Sequence, residues 1–177
     1  PAAAAPASDR AREKEFLAKN GAALRDYEQR LGKISKRYYK NHPIAREVDS
    51  AFANLPRYMA VLHRYQRDRD LYQWARDTAA LPEVRATIKQ FLSRPEAWVA
   101  AAQMATEVLK QQPPPAPIYQ EVTRFLNHDP AMLEMTAKVM SDAQPNLTTG
   151  VAALAGQDLA PLEGVIKDLS LAKVGAR

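Results

Sequence analysis

Between Asp9 and Asn41 apolar residues return every seven positions, at Leu17, Leu24, Leu31 and Tyr38. Tyr27 and Ile34 follow three residues after the middle two, and Asn20 and Asn41 hold the matching places after the outer two. This spacing predicts one long helix over 9–41 with a narrow apolar seam, coiled-coil-like in pattern. Gly21 and Gly32 each weaken such a helix by about 1 kcal/mol relative to alanine. The seam is therefore expected to need a partner surface, from this chain or from another.

Beyond residue 42 the period changes and prolines set the rhythm. Phe52-Ala53-Asn54-Leu55-Pro56, Phe91-Leu92-Ser93-Arg94-Pro95 and Phe125-Leu126-Asn127-His128-Asp129-Pro130 are one pattern written three times. Each copy has another proline thirteen positions before its own, at Pro43, Pro82 and Pro117. Proline suits the first turn of a helix, where its missing N–H has no intrahelical partner. Each unit therefore reads as a short helix followed by a proline-opened longer one, over 43–81, 82–112 and 117–142. In the first unit the longer helix is expected to run from Pro56 to near Leu81, with Tyr58, Met59, Leu62, Tyr65 and Tyr72 facing inward. Arg67-Asp68-Arg69-Asp70 would then be its solvated face. In the third, Asp129 is suited to cap the helix opened by Pro130. Residues 143–177 are expected to form a helical cap over the open end of the third unit, and residues 1–8 a flexible Pro/Ala leader.

The expected fold class is therefore all-α. It comprises a long N-terminal helix, three proline-punctuated helix hairpins in a solenoid-like or irregular helical bundle, and a C-terminal helical cap. One hairpin cannot bury its own face, whereas three together can. The period resembles that of tetratricopeptide-type hairpins, but their residue pattern is missing here and nothing is carried over from them. Phe52, Phe91 and Phe125 are expected to be equivalent core positions.

Composition narrows the chemistry. With 177 residues and 46% hydrophobic side chains, one domain with a real core is expected. There is no cysteine, which excludes disulfides and thiolate chemistry. No run of about 18 apolar residues occurs, so no membrane span is expected within the chain. The Pro/Ala-rich start without methionine fits export or tethering through a preceding segment, and leaves a cytoplasmic location open. The three histidines, His42, His63 and His128, show no metal-ligand spacing, and neither a glycine-rich phosphate loop nor a nucleophile elbow occurs. No catalytic, cofactor-binding or metal-ligating residue is singled out.

Charge is the remaining signal. Residues 1–77 hold 16 Lys/Arg against 10 Asp/Glu, and residues 78–177 hold 9 against 10, so the net +5 belongs to the first half. Arg30, Lys33, Arg37 and Lys40 fall on one helical stripe, flanked by Lys36, Tyr38, Tyr39 and His42, with no acid between Gln29 and Arg46. Cations near a helix C-terminus are favoured by the macrodipole without any ligand. The functional expectation is a non-enzymatic scaffold or protein–protein interaction module within a larger assembly. The candidate interaction face is Arg30, Lys33, Lys36, Arg37, Tyr38, Tyr39 and Lys40. The alternative is binding of a polyanion, nucleic acid or anionic lipid, by the same basic face.

Overall fold

The computed structural model describes residues 6–169, and all regular structure among them is helical. The helices are α1 (Ala7–Asn41), α2 (Pro43–Ala53), α3 (Pro56–Asp68), α4 (Leu71–Ala79), α5 (Pro82–Leu92), α6 (Pro95–Gln111), α7 (Ala116–His128) and α8 (Pro130–Ala143). A 3₁₀ turn (Gln144–Asn146), α9 (Leu147–Ala153) and α10 (Ala160–Asp168) follow. No helix is long and apolar enough to cross a membrane among the described residues.

Pro43, Pro56, Pro82, Pro95 and Pro130 each occupy the first position of a helix, and Pro117 the second position of α7. The expected leader lies mostly outside the described residues; where it can be followed, Ala7 already belongs to α1, whose N-cap is Pro6.

The first unit departs from expectation. It holds three helices, because the run Arg67–Asp70 ends one helix at Asp68 and breaks at Arg69 and Asp70 before the next, so it is not one continuous helix face. Arg69 adopts the left-handed conformation (φ 56°, ψ 24°) and closes α3 through its N–H to the Tyr65 carbonyl. Asp70 then caps α4, its carboxylate accepting the Gln73 N–H at 2.9 Å. Aspartate competes well for these otherwise unpaired donors, which is why it starts helices more readily than it continues them. Arg69 is held in place by its guanidinium, 3.4 Å from Glu28 and 5.7 Å from the Tyr65 ring.

Two apolar clusters flank α4. Val61, Leu81 and Val84 form one, with Phe52, Tyr58 and Trp74 packed on it. Tyr72, Phe125 and Met132 form the other, with Phe16 and Leu17 of α1 packed on it. The three phenylalanines are thus not equivalent: Phe52 joins the first cluster, Phe125 the second, and Phe91 is buried apart from both, 6.0 Å from the Arg94 guanidinium. One relation does repeat, since α2 packs on α6 as α5 packs on α8. The extra helix α4 interrupts the series by packing on α8 as well, so the molecule is an irregular bundle and not a uniform stack.

α1 packs within its own chain, against α2 and α6, with Leu24, Tyr27 and Ile34 buried. The cap also differs from expectation. α9 and α10 lie on α6, the long helix of the second unit. Gly150 allows this, because a Cβ there would stand 2.5 Å from the Trp98 ring. The end of α10 also reaches the third unit, where Asn127 Nδ2 donates to the Asp168 carbonyl at 2.8 Å. The remainder of the expected cap, 170–177, lies outside the described residues.

Candidate functional site

The basic stripe read from α1 is divided by the fold. Its members occupy an arc wide enough that one edge faces α6 and the other faces solvent. Arg30 turns inward: Nη1 donates to Gln112 Oε1 at 3.0 Å, Nη2 lies 3.0 Å from Asp26, and the guanidinium stands 5.5 Å from the Tyr27 ring. Arg37 pairs with Glu107 and donates to Gln111 Oε1 at 3.3 Å. Tyr38 is half-buried and stacks on His42 at 4.9 Å; burial, reinforced by Glu107, raises its phenol above the ordinary tyrosine range. Tyr39 is 43% exposed. The Tyr39 and Lys40 carbonyls each accept from Arg46 Nη1 at 3.1 Å, which satisfies the end of α1. Lys33, Lys36 and Lys40 are exposed and have no ion-pair partner among the described residues. Two arginines of the expected face therefore fasten α1 to α6, and three lysines remain available.

A second constellation lies at the other end of α1. Glu13, 1% exposed, has Arg76 on both carboxylate oxygens and Arg10 Nη1 at 2.6 Å. Arg76 is itself 4% exposed and donates from Nε to Asp129 Oδ2 at 2.8 Å, its guanidinium 5.2 Å from the Phe125 ring. Asp129 turns its other oxygen to the N–H groups of Ala131 and Met132 at 3.0 and 3.2 Å, capping α8. Arg10 continues to Asp70 at 2.8 Å, so the caps of α4 and α8 are joined through Arg10, Glu13 and Arg76. Hydrogen bonding to Glu13, against the opposing cost of burial, raises the Arg76 pKa further. At Asp70 burial acts upward, but the Arg10 hydrogen bond, the Gln73 N–H and the neighbouring guanidinium charges outweigh it and hold the carboxyl below the usual range.

Such an arrangement fastens α1, α4 and α8 to one another. Its buried carboxylates are saturated by guanidinium and backbone donors, and loss of one buried partner strands the rest at a cost of about 3–5 kcal/mol. The seven-residue pattern contained the signal for it. Extended one repeat before Leu17 and Asn20, the seam falls on Arg10 and Glu13. Nothing local pointed to Arg76, which enters from α4. Beside it Tyr72 donates to Glu121 Oε1 at 2.8 Å, and Arg12 Nη2 donates to the same oxygen at 3.1 Å.

Two of the surface grooves are relevant to binding. One of about 700 Å³ lies between α5 and α8, its walls tied by Arg85–Asp142 (2.7 Å) and Lys89–Asp142 (3.5 Å) pairs. The other, about 380 Å³, is apolar and lies between α1, α6, α7 and α10, with Leu31, Met104, Val108, Tyr119, Leu162 and Val165 among its lining. Among the described residues no cluster of His, Asp or Glu has metal-binding geometry. Comparison with family models, with curated proteins and with solved structures finds no match in any of the three.

Proposed function

We propose that this protein is a non-enzymatic helical scaffold that contacts another protein within a larger assembly. The observation that carries this reading is the apolar groove between α1, α6, α7 and α10. Met104 lines it and is 38% exposed, and Val122 of α7 and Ile166 of α10 are exposed on the same helices at 37% and 48%. Apolar side chains gathered at a surface depression favour a partner's apolar side chains over water. The buried charge network supports the same reading from the other side, because its ionisable groups are occupied in joining helices. The test is affinity capture with Met104→Glu as the comparison. A partner held by the native protein and released by the variant, at unchanged thermal midpoint, is the expected result. Equal capture by both forms removes the groove from the function, and no specific capture by either overturns the reading.

A second reading, contact with a polyanion, is favoured by one observation: Lys33, Lys36 and Lys40 are exposed and unpaired among the described residues while their arginine neighbours are engaged.

A further inference from the structure

We propose that the outer face of α1 is a docking surface for an anionic lipid bilayer; this rests on the polyanion reading and commits it to one partner. The face is larger than, and different from, the stripe legible in the sequence. At 3.6 residues per turn, Lys14, Lys19, Arg25, Lys33, Lys36 and Lys40 fall within an arc of about 140° on the side of α1 turned away from Tyr27 and Ile34. All six are exposed, and none has an ion-pair partner among the described residues. The acids on the same arc are Glu15 and Asp26, and Asp26 is held by Arg30 at 3.0 Å. Six free cations against Glu15 leave +5, equal to the formal net charge of the whole chain.

The division between arginine and lysine follows position. Arg10, Arg12 and Arg37 lie on the flanks and bind carboxylates from outside α1, and Arg30 beside them holds Asp26 of α1 and the Gln112 side chain. The outward side is mainly lysine, a hydrated point charge that needs no fixed geometry from its partner. Ala11, Ala18, Ala22 and Gly32 separate the charges, so no bulky apolar group rises between them.

Shape selects the bilayer over nucleic acid. From Lys14 to Lys40 the face extends along one helix for about 39 Å at 1.5 Å per residue. A helix that reads duplex DNA enters a groove about 12 Å wide, and α1 cannot, because its flanks are covered. Arg30 and Arg37 meet α6 on one side, and Glu28 meets Tyr65 and Arg69 on the other. A line of cations on an exposed ridge suits a flat surface whose anions can move to meet it. Each basic residue near such a surface raises partitioning about fivefold, within a screening length of about 8 Å at physiological salt.

The test is co-sedimentation of the full chain with phosphatidylcholine vesicles, with and without 30% phosphatidylserine, beside a 30-base-pair duplex. Binding to the serine-containing vesicles alone, falling at least tenfold between 50 and 250 mM salt, is expected. Lys33→Gln/Lys36→Gln/Lys40→Gln and, separately, Lys14→Gln/Lys19→Gln/Arg25→Gln should each weaken it at least tenfold at unchanged far-ultraviolet circular dichroism. Arg57→Gln, on α3, should not. Equal binding to both vesicle types, or no loss in either triple variant, overturns the proposal. A duplex bound more tightly than the vesicles at the same salt overturns the bilayer while the polyanion reading stands. Binding to neither removes both.

Discussion

At the scale of single residues, the decisive feature is how one carboxylate serves two masters. Asp70 and Asp129 each spend one oxygen on a helix cap and the other on an arginine from elsewhere in the chain. Capping was legible for Asp129, because aspartate before proline at a helix start has a local cause. The arginine contacts were not, since Arg10 and Asp70 are 60 residues apart and Arg76 and Asp129 are 53 apart. Asp70→Asn separates the two roles, because asparagine caps as well as aspartate but carries no charge for Arg10. At pH 7 the variant should lose about 1.5 kcal/mol, the order of a hydrogen bond to a charged group. Asp70 has a lowered pKa in the folded protein. Its charged-state contribution is therefore present above the unfolded value of about 3.9 and is lost as pH falls through the folded value. Thermal midpoints of the two proteins should differ at pH 7 and converge below pH 4; a constant gap would show that the ion pair contributes nothing.

At the scale of helices, glycine shows how little a residue type says without its neighbours. Gly32 and Gly150 are both helical, yet a Cβ at Gly32 meets nothing within 4 Å, whereas at Gly150 it meets three Trp98 ring atoms at 2.5 to 2.7 Å. Gly32→Ala should gain about 0.5–1 kcal/mol from helix propensity alone. Gly150→Ala should lose about 1–3 kcal/mol through overpacking and shift the Trp98 emission as α9 lifts from α6. Chemical denaturation followed by fluorescence measures both, and a neutral Gly150→Ala would refute the close approach. The proline-marked helix starts were legible because proline acts on its own backbone. The break at Arg69 was not, because a charged run fits a solvated helix face as well as a turn, and only the capture of Asp70 by the Gln73 N–H and Arg10 decides between them.

At the scale of the whole molecule, three hairpins of similar sequence do not make three equivalent units. α4 stands between the two apolar clusters, and α1 ties distant parts together, meeting Asp70 through Arg10 and the Gln112 carbonyl through Tyr27 at 2.9 Å. Such bracing predicts one cooperative transition and not unit-by-unit melting. Each of the two tryptophans reports a different region: Trp74 packs on the first cluster, and Trp98 lies under Gly150. Thermal transitions of Trp74→Phe and Trp98→Phe, each followed by the remaining tryptophan, should retain the steepness of the native curve and coincide with the loss of helical signal in the same variant. A fluorescence change several degrees away from the helical change would divide the molecule into separate units. The amino-acid sequence by itself determined the all-α class, the proline-marked helix starts and the register of the α1 seam, because each depends on contacts within a few turns of backbone. Tertiary structure alone decided which α1 cations are spent on α6 and which face outward, where the cap lies, and that Glu13 and Arg76 meet, because charge pairing and close packing depend on residues brought together from far along the chain.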